Sequence, residues 1–246
     1  METIYFKNSH GQKICGALSD PKADSVVLIC HGLGTSKNDA TYTKLQEKIN
    51  AQGIATFRID MLGHGDSDGQ YEDLTLTEAI DDILQAREFL LKRGFKNIGF
   101  IGSSFGAVGG LMAASIEEFS FLVLISPPTY YDIPEMVSSG ISILRELRRF
   151  KKGQSDDRKA SIKIRFFRDY GSHDSYNAAS KIKCPALIIQ GGEDKIVPLV
   201  KTRQLHKHLK NSKMKIFKGV GHHYSEPGAE KRLIEEVMLF IMNENR

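Results

Sequence analysis

The chain has 246 residues, of which 41% are hydrophobic and 26% charged. This composition is typical of a folded globular protein and excludes intrinsic disorder and fibrous repeats. The length favours a single domain over residues 1–246, and a net charge of only +4, without a basic stripe interleaved with aromatic residues, predicts no nucleic-acid partner.

Eight segments have the pattern of β-strands. The first two are short and are joined by turn residues at 8–11. Most of the later ones are continuous apolar runs, which are typical of strands buried on both faces of a parallel sheet. The predicted strands are residues 3–7, 13–18, 26–30, 54–59, 98–101, 121–125, 186–189 and 214–217.

Helical patterns alternate with these strands. Apolar residues recur at intervals of three and four over 77–92, with Thr75 or Thr77 as the candidate N-cap. Further helices are predicted over residues 41–51, 107–114, 199–210 and 229–242. The alternation of strand and helix predicts an α/β fold with a mostly parallel, doubly wound sheet and right-handed crossovers.

One connection, residues 127–184, is far longer than the roughly 12 to 20 residues that a crossover helix and its loops require. Helices are predicted within it over 133–151 and 156–169. Because an insertion after the sixth strand would leave the sheet at its C-terminal edge, where such sheets bind ligands, we interpret approximately 129–176 as a small helical cap.

Two segments have the pattern Gly-x-Ser-x-Gly, one around Ser67 and one around Ser104. A nucleophilic serine of this kind stands between a strand and a helix, on a strained turn whose glycines let neighbouring chains approach. Ser104 has an apolar strand before it and a helix of small residues after it, whereas Ser67 has neither and is flanked by two aspartates. Ser104 is therefore the predicted nucleophile, and Ser67 is assigned to a turn.

A serine nucleophile needs a base and an acid that orients the base, and in this type of fold they follow it in the order acid, then histidine. Asp194 comes directly after the predicted strand at 186–189 and is the candidate acid, with a helix cap as the alternative role and Glu193 as a less favoured substitute. His222 follows the last strand and is the candidate base. The adjacent His223 would then be a packing residue or part of the pocket wall.

An oxyanion hole is the third part of such a site, and it is formed by backbone N–H groups. One donor is predicted to be Phe105, at the N-terminus of the helix after Ser104. The other is Leu33, in the segment His31-Gly32-Leu33-Gly34 that follows an early strand. The alternative for that segment is an ordinary glycine-rich turn.

Together these motifs resemble the α/β-hydrolase superfamily over essentially the whole chain. Within it, the chain is similar to small capped serine carboxylesterases, including cinnamoyl and feruloyl esterases, and to the monoacylglycerol-lipase and serine-aminopeptidase group. The carriers of the resemblance are His31-Gly32-x-Gly34, Asp60-x-x-Gly63-His64-Gly65-x-Ser67, Gly102-x-Ser104-x-Gly106, Gly191-x-x-Asp194-x-x-Val197-Pro198 and Gly221-His222. In such proteins the Gly63-His64-Gly65 segment is usually structural.

The resemblance implies a carboxylic ester hydrolase that works through an acyl-enzyme, without a cofactor or a metal. Short to medium acyl or aryl-acyl esters are the expected small-molecule substrates. The same site also suits a thioesterase, a lysophospholipase or monoacylglycerol lipase, or a peptidase, and a non-catalytic binding protein is the least favoured reading. The predicted substrate-binding residues are Tyr130, Tyr131, Met136, Phe167 and His223.

The start of the chain and its cysteines indicate where the protein works. Residues 1–7 lack the features of a signal peptide, and no apolar stretch reaches the roughly 20 residues that cross a bilayer. Cys15, Cys30 and Cys184 have no CxxC spacing, so neither a disulfide framework nor a zinc site is predicted. We expect a cytoplasmic protein without a stable membrane anchor, and a homodimer stays an open possibility.

Overall fold

The computed structural model describes residues 1–129 and 163–244. In this part of the chain, eight strands and seven α-helices alternate over most of the sequence. The strands are β1 (Glu2–Lys7), β2 (Lys13–Ser19), β3 (Ser25–Cys30), β4 (Ala55–Ile59), β5 (Asn97–Ser103), β6 (Leu122–Ile125), β7 (Ala186–Gly191) and β8 (Ser212–Phe217). The helices are α1 (Ala40–Asn50), α2 (Leu76–Lys92), α3 (Phe105–Ala114), α4 (Ile164–Gly171), α5 (Ser175–Lys181), α6 (Leu199–His208) and α7 (Ala229–Glu244).

All eight strands form one sheet in the order β1-β2-β4-β3-β5-β6-β7-β8. The pairs β1–β2 and β2–β4 are antiparallel, and the pairs from β4 onward are parallel. The parallel strands therefore end at a common edge, and the loops that carry Ser104, Asp194 and His222 all leave the sheet there.

The apolar runs of the central strands are explained by burial on both faces of the sheet. In β3, Val26, Leu28 and Cys30 join one core, and Val27 and Ile29 join the other. Helices α2, α3, α4, α5 and α6 contribute side chains to the first core, whereas α1 and α7 contribute to the second. The predicted α/β fold with a mostly parallel, doubly wound sheet is confirmed.

Local signals explain where several helices begin. Thr75, rather than Thr77, caps α2, because its side chain accepts a hydrogen bond from the Glu78 N–H. Asp39 caps α1 in the same way through the Thr41 N–H. The α3 helix has no such side-chain cap, because the hydroxyl of its N-cap residue, Ser104, faces His222 Nε2 instead of the N–H groups of the helix.

The connection between β6 and β7 differs in part from the sequence prediction. The helix predicted over 156–169 corresponds, within the described residues, to α4, which extends to Gly171. The sequence did not predict α5, whose seven residues give too short a periodic pattern. The helix predicted over 133–151 lies outside the described residues, and the boundaries of the cap and the single-domain assignment stay predictions.

Over residues 1–129 and 163–244, none of the helices is both long and apolar enough to span a membrane.

Candidate active site

Ser104 lies on a sharp turn between β5 and α3. Its backbone has φ 49° and ψ −116°, a region that non-glycine residues rarely adopt. The flanking glycines are required by close backbone packing. A Cβ on Gly102 would lie 2.6 Å from the Gly106 carbonyl oxygen, and one on Gly106 would lie 2.5 Å from that of His31. The turn therefore leaves Ser104 half-buried and not fully enclosed, while the backbone beneath it stays tightly packed.

His222 connects Ser104 to Asp194 by two hydrogen bonds. Its Nε2 lies 3.0 Å from Ser104 Oγ, and its Nδ1 lies 2.7 Å from Asp194 Oδ2. Because an ionised carboxylate only accepts hydrogen bonds, Nδ1 carries the proton and Nε2 is free to accept one from the serine hydroxyl. The structure thus brings together the three side chains that the sequence predicts as nucleophile, base and acid.

Asp194 is fully buried, and its carboxylate is held by more than His222. Oδ1 accepts the N–H groups of Ile196 and Val197, both at 2.8 Å. Burial alone raises the pKa of Asp194, but the hydrogen bonds from His222 and from these two N–H groups outweigh it and lower the pKa below its usual value. Asp194 closes this turn and does not cap a helix, since Pro198 is the N-cap of α6.

The loop that carries His222 is fixed by two further contacts. Glu226 Oε1 accepts the Gly221 N–H at 2.8 Å, and the Tyr224 hydroxyl lies 3.2 Å from Ser126 Oγ. Gly191, at the end of β7, lets this loop approach, because a Cβ there would lie 2.5 Å from the Val220 carbonyl oxygen. These contacts hold His222 next to the loop that carries Asp194.

The two predicted oxyanion donors belong to segments that meet at Ser104. Phe105 is the first residue of α3, so its N–H has no acceptor within the helix. The segment with Leu33 passes close by, since a Cβ on Gly32 would lie 3.3 Å from Ser104 Cβ. Among the described residues, no acceptor faces the Leu33 N–H, whereas the next N–H, that of Gly34, donates to His64 Nε2 at 3.2 Å.

His31 and His64 hold this segment in place. The rings lie 4.7 Å apart; His64 Nδ1 donates to the Leu62 carbonyl, and His31 Nε2 accepts the Met61 N–H. Burial, together with the neighbouring His31, lowers the pKa of His64 to about 3, so this ring is neutral at physiological pH. These contacts agree with the structural role that the sequence assigns to Gly63-His64-Gly65.

Ser67, in the second Gly-x-Ser-x-Gly segment, has a structural environment. Its Oγ donates to the Asp60 carbonyl at 2.7 Å and accepts the Cys15 N–H at 2.8 Å. Its hydroxyl therefore joins the end of β4 to β2, as expected for a turn residue.

An ionic cluster, buried except for the exposed Asp66, lies beside Ser67. Cys15 Sγ and one oxygen each of Asp60 and Asp66 lie within 4.8 Å of one another, a spacing that suits a cation. Lys37 Nζ contacts both carboxylates at 2.6 Å and supplies the positive charge. Burial lowers the pKa of Lys37, but its hydrogen bonds to the two aspartates outweigh burial and raise the pKa above its usual value.

The predicted substrate-binding residues are placed unevenly. Phe167 is half-buried on α4, and its ring lies 5.4 Å from that of Phe166, which lies 5.6 Å from Phe105. His223 is exposed, with its ring 5.2 Å from that of His222. Tyr130, Tyr131 and Met136 lie outside the described residues, and the substrate contacts of all five residues stay predictions.

Gln190 contacts the site and was not found from the sequence. It lies in β7, is fully buried, and donates from Nε2 to Asp194 Oδ2 at 2.8 Å. The sequence did contain a sign of this role, because Gln190 is an uncharged polar residue at the end of an apolar run that leads to the predicted acid, Asp194.

Fold and site together define a hydrolase of the α/β type, and comparison with known proteins gives the family. The profile of the alpha/beta hydrolase family matches residues 26–230. The chain therefore belongs to the alpha/beta hydrolase family.

Three similar proteins narrow the class. A monoglyceride lipase homolog from Monkeypox virus is 26% identical, over 91% of this chain and 90% of that protein. The structure of Est1E from Butyrivibrio proteoclasticus with bound ferulic acid is 26% identical, with a TM-score of 0.80 and 98% of each chain covered. The Pyrococcus furiosus esterase Pf2001 shares the fold at 20% identity, with a TM-score of 0.78 over 98% of this chain and 92% of that one. The predicted resemblance to small esterases and monoacylglycerol lipases is confirmed, and these similarities support the carboxylic ester hydrolase class.

Proposed function

We propose that the protein hydrolyses carboxylic esters through a covalent acyl-enzyme on Ser104. The observation that carries this proposal is the hydrogen-bonded series Ser104–His222–Asp194, with its distances of 3.0 and 2.7 Å. A serine hydroxyl is a weak nucleophile by itself, and such a series activates it by removing its proton as the new bond forms.

In the first half of the reaction, Ser104 Oγ attacks the ester carbonyl carbon and His222 Nε2 takes the serine proton. The negative charge that develops on the carbonyl oxygen is stabilised by the N–H groups of Leu33 and Phe105. His222 then gives its proton to the leaving alcohol, and the C–O bond to that alcohol breaks. The ionised Asp194 stabilises the imidazolium and keeps the proton on Nδ1 in the neutral state.

In the second half, a water molecule replaces the alcohol. His222 Nε2 takes a proton from this water as its oxygen attacks the acyl carbon, and the same two N–H groups stabilise the second oxyanion. The intermediate then releases the carboxylic acid, and Ser104 Oγ regains its proton from His222. The cycle balances without any redox or cofactor step, which fits the expectation that the reaction needs none.

The proposed substrates are esters with a short to medium acyl or an aryl-acyl group. Support comes from the bound ferulic acid in the similar Est1E structure. The half-buried ring of Phe167 on α4 packs on the buried ring of Phe166, which in turn packs on Phe105, the residue after Ser104, and we assign Phe167 to the apolar part of the acyl group. The relative named as a monoglyceride lipase homolog favours one alternative substrate, a monoacylglycerol.

The test is labelling with a fluorophosphonate probe, which reacts with activated serines, combined with turnover of p-nitrophenyl esters. We expect the wild type to be labelled and Ser104→Ala to lose both labelling and turnover, the latter by about 10⁴-fold or more. Ser67→Ala is the matched control and should retain both. A wild type that neither labels nor hydrolyses any ester would contradict the proposal.

The substrate class is tested by ranking kcat/KM for p-nitrophenyl esters of increasing chain length, a feruloyl ester and a monoacylglycerol. A maximum at short acyl chains or at the feruloyl ester supports the proposed substrates. A clear preference for the monoacylglycerol would replace them with the lipase alternative.

A further inference from the structure

Gln190 is a buried amide in direct contact with the acid of the proposed site. It is fully buried within β7, where all the other residues are apolar or glycine. Placing an amide in such a strand is unfavourable unless its polar atoms are hydrogen-bonded. Here Nε2 donates to Asp194 Oδ2 at 2.8 Å and to the Val197 carbonyl at 3.1 Å, and Oε1 accepts from Thr202 Oγ1 at 2.8 Å.

The surroundings of Gln190 determine which end of the amide faces Asp194. Nε2 faces three oxygens, namely Asp194 Oδ2 and the carbonyls of Val197 and Gly191, and none of these can donate. Rotating the amide by 180° would turn Oε1 toward a carboxylate and lose all three bonds. The Thr202 hydroxyl on α6 donates to the opposite end and completes the arrangement.

Gln190 contacts the same oxygen of Asp194 that accepts the hydrogen bond from the proposed base, His222. Asp194 Oδ2 accepts the Nδ1–H of His222 at 2.7 Å, whereas Oδ1 is occupied by the N–H groups of Ile196 and Val197. The backbone therefore fixes one carboxylate oxygen, and Gln190 fixes the other.

We propose that Gln190 is a positioning residue that holds Asp194 Oδ2 in line with His222 Nδ1. Gln190 acts through the carboxylate and does not touch the substrate. This inference rests on the proposed function, because positioning Asp194 matters for turnover only if His222 is the base. The three oxygens that face Nε2 set the orientation of the amide without Thr202, so the bond from Thr202 to Oε1 contributes to stability and is not required for positioning.

The test compares three variants in kcat, KM, thermal unfolding and the low-field proton NMR signal of the His222 Nδ1–H. Gln190→Met keeps the length of the side chain and removes the donor. Thr202→Val is the control, since it removes the bond between α6 and β7 and leaves the donor to Asp194 in place. Gln190→Glu keeps the size, and it can donate to Asp194 only while its carboxyl is protonated.

For Gln190→Met we expect kcat to fall by about 10-fold to 100-fold, because a small displacement of a catalytic group has effects of this order. KM should change by less than about twofold, and the low-field signal should move or disappear. Thr202→Val should unfold at a lower temperature and keep its low-field signal, with kcat within about threefold of the wild type.

Gln190→Glu gives a second, independent readout. Its kcat relative to the wild type should fall as pH rises, because the protonated carboxyl donates to Asp194 Oδ2 and the ionised one repels it. Asp194 is the titratable group that this side chain contacts, and His222 is hydrogen-bonded to the same carboxylate oxygen. Gln190→Met should show no such trend relative to the wild type.

Wild-type kcat and an unchanged low-field signal in Gln190→Met would overturn the inference, even if this variant is less stable. An equal fall of kcat in Thr202→Val would also overturn it, because the packing between β7 and α6 would then explain the effect. If Gln190→Met does not fold, the pH trend of Gln190→Glu decides. The low-field signal needs no substrate, so it reports on Gln190 even if the wild type proves inactive and the proposed function fails.

Discussion

Two loops of this molecule, residues 65–69 and 102–106, share the pattern Gly-x-Ser-x-Gly and place their serines in opposite surroundings. The Ser67 hydroxyl bonds to two backbone groups, the Cys15 N–H and the Asp60 carbonyl. The Ser104 hydroxyl instead faces the imidazole of His222. The difference shows that a serine becomes a candidate nucleophile only where its hydroxyl is not hydrogen-bonded to the backbone and can donate to a base.

The glycines of the two loops also serve different purposes. Gly106 allows the backbone of another segment to pack closely against it, since a Cβ there would lie 2.5 Å from the His31 carbonyl oxygen. Gly65 has a φ of 50° and wraps around a carboxylate, with a Cβ position only 2.0 Å from Asp60 Oδ2. The loop at residues 102–106 forms a strand-to-helix turn, and the loop at residues 65–69 encloses the buried carboxylate of Asp60.

The largest expected effect comes from removing Lys37, the cation that pairs with Asp60 and with Asp66 in the loop at residues 65–69. Lys37→Met would leave the fully buried Asp60 without its partner, and losing one member of a buried pair costs about 3 to 5 kcal/mol in the free energy of unfolding. Urea denaturation measures it. Lys44→Met is the control, because its pair with Glu230 is about half-exposed and should contribute less than about 1 kcal/mol. A similar loss in both variants would contradict this assignment.

The next effect concerns Asp82, whose carboxyl group accepts a hydrogen bond from the Leu62 N–H, shortly before the loop at residues 65–69. Burial raises the pKa of Asp82 from 3.8 to about 7, so the folded state binds this proton more tightly than the unfolded state does. Its contribution to stability is therefore complete below pH 3.8 and is lost as pH rises toward 7.

Urea denaturation of the wild type and of Asp82→Asn across this range tests the assignment. The stability difference between them should shift in favour of the variant by about 1.4 kcal/mol per pH unit at the steepest point. A difference that is constant with pH would show that Asp82 does not titrate in this range.

Adding a methyl group to each loop sharpens the comparison. Gly106→Ala should push the His31 segment away from Ser104 and lower kcat by about 100-fold, as expected for a displacement of about 1 Å. Gly65→Ala should lower stability through its positive φ and its clash with Asp60, while the folded fraction keeps its turnover. Active-site titration separates turnover from folding, and a loss of kcat confined to Gly65→Ala would reverse the roles given to the two loops.

The smallest expected effect is that of Ser67→Ala on stability. The change removes the acceptor of the Cys15 N–H and the donor to the Asp60 carbonyl, which should cost about 1 to 2 kcal/mol. Its thermal and urea unfolding curves give the value. A loss of ester turnover in folded Ser67→Ala would mean that the hydroxyl has a role beyond this turn.

The fold and the three residues at the centre of the site could be predicted because their signals are local. Buried strands appear as apolar runs, and Ser104 differs from Ser67 in having a strand before it and a helix after it. Asp194 and His222 each lie in the loop that follows a predicted strand, so their places at the sheet edge follow from the order of the elements.

The rest depends on contacts between distant segments. Lys37 and Asp60 are 23 residues apart, and nothing in either segment shows that the side chains meet inside the protein. The Asn8–Asp82 bond spans 74 residues. The role of Gln190 depends on the rotation of one amide, which the three oxygens around Nε2 decide. The α5 helix was missed because seven residues are too few to display a helical period.

The order of the strands has a consequence for how the enzyme should fail on heating. Ser104 follows β5, near the middle of the sheet, whereas His222 follows β8, which is an edge strand of the sheet that residues 1–129 and 163–244 form. Edge elements fray before a protein unfolds globally. Detachment of β8 would separate the imidazole from a nucleophile whose own turn is still intact. Ester turnover should therefore decline at a lower temperature than the loss of the central sheet, and amide hydrogen exchange should be faster in β8 than in β5.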